Sequence, residues 1–157
     1  HAALLAGSLT TPACWDLVRR SSRKIPEPAP ESLRIDTILF APDGEACWLV
    51  DWQTLGRGSG AADLAYLVGT SIADPFERAA ADRPAFDHWI AALEDGGVAP
   101  DARALWDDYR VGALSGYFMA VFASMNVERT ARGDEMFAVM AERPARQALA
   151  LGSLDLL

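Results

Sequence analysis

Two short apolar runs, Thr37 to Ala41 and Ala46 to Val50, flank the turn sequence Pro42-Asp43-Gly44-Glu45. Apolar segments of this length bounded by turn formers read as strands, and the glycine can take the positive φ that a reversal needs, so the pattern predicts a β-hairpin. From Asp63 onward the spacing changes to the helical period. Leu64, Leu67 and Val68 share one face, and Asp63 is placed to act as an N-cap or first-turn acid. Further helical patterns run from Pro84 to Glu94, from Asp101 to about Val127 and from Gly133 to about Leu151, separated by clusters such as Asp95-Gly96-Gly97. Ahead of the hairpin, Thr11-Pro12 can cap and open a short helix through Arg20, and the three prolines between Ile25 and Pro30 leave an extended loop. The pattern predicts a mainly α chain with a small β-hairpin among five or so helices (α+β), in a single domain over residues 1–157.

Charge removes one class of partner. Fourteen basic residues against twenty-two acidic ones give a formal charge of −8, which repels polyphosphate backbones, so no nucleic-acid partner is expected. No apolar run approaches the roughly 20 residues that a bilayer-spanning helix needs, and the start lacks the layout of a secretory signal. The expectation is a cytoplasmic protein with no membrane partner. Cys14 and Cys47 lie far apart without a second ligand pair, and His1 and His88 lack a neighbour at metal-ligand spacing, so all four read as ordinary side chains. The chain opens on His1 and enters directly a helix-like run, which suggests a fragment of something longer. Trp89, Trp106, Tyr109, Tyr117, Phe118 and Phe122 fall in the helical segments and are expected to pack between helices.

Candidate chemistry begins at the end of the second apolar run. Trp48-Leu49-Val50-Asp51-Trp52-Gln53 places a carboxylate just after a strand, followed by Gly56-Arg57-Gly58 and by Asp63-Leu64-Ala65-Tyr66. Alone, Asp51 reads as an acid that caps the next loop through backbone amides. In its context of strand, carboxylate, glycine loop and helix, a metal-holding role is the stronger reading. Gly56, Gly58 and Gly60 have no Walker-type lysine and mark a turn rather than a phosphate cradle.

This order resembles the magnesium-binding segment of the aminoglycoside phosphotransferase and choline kinase-like family. The preceding run, Pro30-Glu31-Ser32-Leu33-Arg34-Ile35-Asp36-Thr37, is similar to that family's catalytic loop without gaps, and Arg34 and Asp36 match its Arg-x-Asp pattern. On this register Pro30 and Glu31 replace the family's His-Gly, Ser32 its catalytic aspartate and Thr37 its metal-binding asparagine. The tail, from Arg132-Gly133-Asp134-Glu135-Met136-Phe137 through Met140 and Arg143, resembles the ecdysteroid kinase-like branch. The resemblance covers only the C-terminal lobe of a protein kinase-like fold.

The resemblance implies Mg²⁺ and ATP as cofactors, a small-molecule hydroxyl as phosphate acceptor, and Asp51 with Thr37 as metal ligands. It also implies damage. A neutral Ser32 hydroxyl accepts a proton poorly, and loss of a general base costs roughly 10² to 10⁴-fold. Thr37 offers a shorter oxygen to a cation that demands octahedral distances of about 2.0 to 2.1 Å. No strand-rich segment with an ATP-covering loop precedes Pro30, so an N-terminal lobe is missing from this reading. The expectation is a truncated, catalytically impaired phosphotransferase, with a non-catalytic, pseudokinase-like binding module as the alternative. The face that would have met the missing lobe is expected to be apolar and to invite a homodimer.

Overall fold

The computed structural model describes residues 38–40, 47–50 and 58–157. Within them the chain is mainly α, with a two-stranded antiparallel sheet of β1 (Ile38–Phe40) and β2 (Cys47–Leu49). The ladder pairs Ile38 with Leu49, Leu39 with Trp48 and Phe40 with Cys47, as expected for the predicted hairpin. Its turn, Pro42 to Glu45, lies outside the described residues, as do the predicted helix from Thr11 to Arg20 and the proline loop. Side chains alternate along β1: Ile38 is buried, while Leu39 and the Trp48 opposite it are exposed.

Five α-helices follow: α1 (Gly60–Ser71), α2 (Pro75–Asp95), α3 (Ala102–Gly112), α4 (Ser115–Met125) and α5 (Ala131–Ala150), with a short 3₁₀ turn at Ser153–Leu156. Helix α1 is apolar around most of its circumference, and such a helix must be surrounded. Ala61, Leu64, Ala65, Tyr66, Leu67 and Val68 are all buried, with α3, α4, α5 and α2 packed about them. The close approach of α3 depends on Gly112, because a Cβ there would run into the Cα of Ala62.

The starts of the helices follow their capping chemistry. The Asp74 carboxylate accepts the amides of Phe76 and Glu77 at 2.9 Å, and Pro75 occupies the first helical turn, so α2 begins nine residues before the predicted start at Pro84. Pro84 lies inside the helix instead. It is exposed, as is Ala80 one turn before it, so water can reach the carbonyl that Pro84 leaves without a donor. Asp101 caps α3 by accepting the amides of Arg103 and Ala104, and the Thr130 hydroxyl accepts that of Gly133 to open α5. Helix α1 differs: Ser59 occupies its cap position without a side-chain cap bond, and Asp63 sits in the first turn, buried.

The single helix predicted from Asp101 to about Val127 is two helices. Ala113 and Leu114 redirect the chain between them, so α3 runs along α1 while α4 packs chiefly against α5. Trp89 and Tyr109 are buried and Trp106 is half-buried, as expected of packing aromatics. Tyr117, Phe118 and Phe122 depart from that expectation, with Phe118 62% and Phe122 65% exposed. The small residues Gly116 and Ala120 form the buried side of α4, which turns its large side chains outward. No helix among the described residues is long and apolar enough to cross a membrane.

Gly112→Ala separates two opposing effects. Propensity alone would favour alanine by roughly 1 kcal/mol, whereas the collision with Ala62 should reverse the sign and lower stability by about 1 to 3 kcal/mol. A urea midpoint for the variant checks this, with Gly58→Ala as control: a Cβ there meets nothing within 4 Å, and no change beyond about 0.5 kcal/mol is expected. A Gly112→Ala midpoint equal to or above that of the parent would contradict the packing assigned to α1 and α3.

Candidate functional site

The residues singled out from sequence, Ser32, Thr37 and Asp51, lie outside the described residues. What is described are their neighbours in the chain. The register opposes Ile38, the residue after Thr37 in sequence, to Leu49, two residues before Asp51. Beyond the glycine loop, the Ser59 hydroxyl donates to Asp108 Oδ2 at 2.8 Å, which ties the start of α1 to α3. A Cβ at Gly60 would lie 3.0 Å from the Trp89 ring, so the indole closes over that same end. His88 is exposed on α2. Among the described residues no group of three or more His, Cys, Asp or Glu side chains is placed to hold a metal ion.

The strongest concentration of buried polar chemistry lies elsewhere. Asp82 on α2 is 3% exposed, and its carboxylate accepts three donors: Arg78 Nη1 at 2.8 Å, the Tyr109 hydroxyl at 2.9 Å and Gln147 Nε2 at 2.7 Å. These come from α2, α3 and α5. Arg78 and Asp82 are one helical turn apart, the spacing at which side chains on one helix meet. Burial pushes the Asp82 carboxyl above its ordinary range, opposed by the hydrogen bonds from Gln147 and Tyr109 and by the charge of Arg78. The Tyr109 hydroxyl is also pushed up, by burial first and then by the Asp82 charge it points at, so it remains a neutral donor. Around it, Trp106 stacks on the Tyr109 ring at 5.1 Å, Phe86 meets both edge-on, and the Arg83 guanidinium lies 5.0 Å from the Trp106 ring. Nothing in the sequence marked this cluster as a unit, because Arg78 and Asp82 have the spacing of a solvated surface pair.

Cavities among the described residues of the helical body include two of different character. The larger, about 650 Å³, lies between α4 and α5 and is lined by Ala120, Val121, Met125, Phe137, Ala138 and Ala141, with the Arg129–Asp134 ion pair at 2.7 Å on its edge. Its one hydroxyl, Ser124, is turned onto the Val121 carbonyl, and the hydrogen bond from Arg129 holds the Asp134 carboxyl below its usual range. With Ser124 and Asp134 so engaged, the lining offers chiefly apolar surface. The smaller, about 240 Å³, lies where the end of α1 and the start of α2 meet α5, and three of its lining residues are arginines: Arg78, Arg143 and Arg146.

Family models, curated proteins and solved structures were compared with the chain, and none matches it.

The position of Asp82 fixes the sign of a pH effect. A carboxyl whose pKa is raised by folding binds its proton more tightly in the native state, so its contribution to stability is complete below the unfolded value of about 3.9 and is lost as pH rises through the raised native value. The difference in unfolding free energy between the parent and Asp82→Asn, followed by urea titration from acid to neutral pH, should therefore slope in that direction, with the parent losing ground as pH rises. A difference that grows in the parent's favour with rising pH would show that the donors outweigh burial. At neutral pH Tyr109→Phe, which removes one donor and keeps the ring, should cost about 1 kcal/mol. Asp82→Ala, which strands the Arg78 charge, should cost about 3 to 5 kcal/mol.

Proposed function

We propose that the chain is the C-terminal lobe of an ATP-dependent small-molecule phosphotransferase, related to the aminoglycoside and choline-type kinases, with an impaired catalytic loop. The observation that carries this reading is Asp51 within Trp48-Leu49-Val50-Asp51-Trp52-Gln53, at the exit of a strand and ahead of a glycine loop. The antiparallel ladder up to Leu49 and the helix beginning at Gly60 are consistent with the strand-carboxylate-loop-helix order. In phosphoryl transfer the protein positions the reactants and stabilises charge, so an aspartate there would hold the metal of Mg-ATP, which would supply charge stabilisation. Ser32 leaves the acceptor hydroxyl without a strong base, and Thr37 leaves the metal with a poorer second ligand.

A second reading, a pseudokinase-like binding module, is favoured by those same two positions. Both can be weighed by one set of measurements on the purified chain: phosphate transfer from Mg-ATP to candidate alcohols, and calorimetry with Mg-ATP. For a kinase lobe, residual transfer is expected about 10² to 10⁴-fold below that of an intact base, and it should disappear in Asp51→Ala. Mg-ATP binding without turnover, still sensitive to Asp51, would point to the binding module. Complete indifference to Mg-ATP, or turnover that survives Asp51→Ala, would overturn the assignment.

A further inference from the structure

The smaller cavity has the composition of an oxyanion site. It is about 240 Å³ in volume, and its walls bring together Arg78 from α2 and Arg143 and Arg146 from α5, with Ile72 and Val139 as apolar surface and Glu142 as its acidic member. In a chain carrying a formal charge of −8, three guanidinium groups meet on one small cavity, two of them paired with Asp82 and Glu142, which leaves a local positive excess.

Each arginine is held in a different way. Arg78 is 3% exposed and is oriented by its 2.8 Å bond to Asp82. Arg143 donates Nη1 to the Thr70 carbonyl at 3.3 Å, which anchors the side chain but leaves its charge uncompensated, since among the described residues no carboxylate lies within ion-pair distance. Arg146 is engaged by Glu142 at 2.6 Å, and that pair is largely exposed at 60% and 55%. The nearby Asp74 carboxylate is turned onto the amides of Phe76 and Glu77. The guanidinium fork offers paired N–H donors matched to a carboxylate or phosphate, and it is less strongly hydrated than an ammonium, so a preoriented set of forks suits a compact oxyanion.

From this juxtaposition of three arginines on one small cavity, we propose that the end of α1, the start of α2 and α5 form a binding site for a small ligand with a carboxylate or phosphate head. The head lies against Arg78 and Arg143, and a short apolar portion lies against Ile72 and Val139. The volume falls below the roughly 300 to 1,000 Å³ of sites for drug-sized ligands, which confines the occupant to a small metabolite or a free anion. The site stands at the C-terminal end of α1. Its twelve residues span roughly 18 Å, so the site is separate from the Ser59–Gly60 end of that helix. It does not rest on the phosphotransferase reading.

The test uses the full chain with inorganic phosphate and with succinate as separate probes, each against sodium chloride at matched ionic strength. Thermal melts and ¹⁵N spectra of the arginine side chains are the readouts. Saturable stabilisation above the chloride control, with shifts in the Arg78 and Arg143 signals, is expected for at least one probe. Response to phosphate alone assigns a tetrahedral head, and response to succinate alone a carboxylate. Arg143→Gln, which removes no ion pair, should fold and bind about tenfold more weakly or worse, as expected for loss of a charge-assisted contact. Arg103→Gln, an exposed arginine away from the cavity, should bind as the parent does. Indifference to both probes beyond the salt effect, or an unchanged affinity in Arg143→Gln, overturns the proposal.

Discussion

A buried carboxylate sets the relative positions of the helices. Taking the Asp82 charge out of water costs several kcal/mol, and the structure tolerates it because three donors meet the carboxylate and one carries a positive charge. The apolar core around Phe86 and Val68 would accept some sliding of one helix on another, since dispersion and desolvation are not directional. Hydrogen bonds between 2.7 and 2.9 Å are not so tolerant. For Tyr109 and Gln147 to reach one carboxyl group, α3 and α5 must each stand in a single register against α2. Buried ions often add less net stability than an apolar core of equal volume, and what these bonds supply beyond it is direction.

The same constraint reaches α1. Gln147 spends its amide nitrogen on Asp82, and its Oε1 occupies the space that a side chain at Gly69 would require, so the central helix must present a glycine there. Further along α3, Arg110 donates to the carbonyls of Leu151 and Gly152 at 2.8 Å, and the Ser153 hydroxyl returns a bond to the Arg110 carbonyl. The end of α5 is thereby fastened to α3 independently of the core. Helix α4 is held differently, by the small residues Gly116 and Ala120 on its buried side, while Phe118 and Phe122 stay exposed. Its exposed face and the apolar groove beside α5 follow from that arrangement.

What was legible in the sequence divides along the same line. The hairpin and α1 announced themselves because their apolar patterns extend over the whole element, and α5 was found to within a few residues by its period. The start of α2 was misplaced because Pro84 looks like a first-turn proline, while the stronger signal, Asp74-Pro75, precedes a stretch with little apolar periodicity. The break at Ala113–Leu114 has no local breaker beyond Gly112 and follows from tertiary contact with α1. The Asp82 cluster was illegible for a different reason. Arg78, Asp82 and Gln147 are polar residues on helices, and only the assembled fold reveals that their face is the inner one. The motif around Asp51 is an expectation from spacing that falls outside the described residues, whereas the other arginines of the small cavity are 65 and 68 residues from Arg78 in sequence, with no pattern to join them.

Arg78 joins the two polar features of the helical body. One edge of its guanidinium holds Asp82, and the same buried side chain forms part of the arginine-lined cavity. A planar group with five donors can serve two acceptors in fixed directions, which a lysine at this position could not do with a compact ammonium on a flexible stem. Asp82 keeps Arg78 oriented and offsets part of its charge, while Arg143, with no carboxylate opposite it among the described residues, leaves the cavity positive. An anion entering there would meet a guanidinium whose orientation is already fixed by the contact that registers α2, α3 and α5, so little further ordering of that side chain would accompany binding. The interaction that selects this packing therefore also preorganises the cavity, and the two properties cannot be varied independently at residue 78.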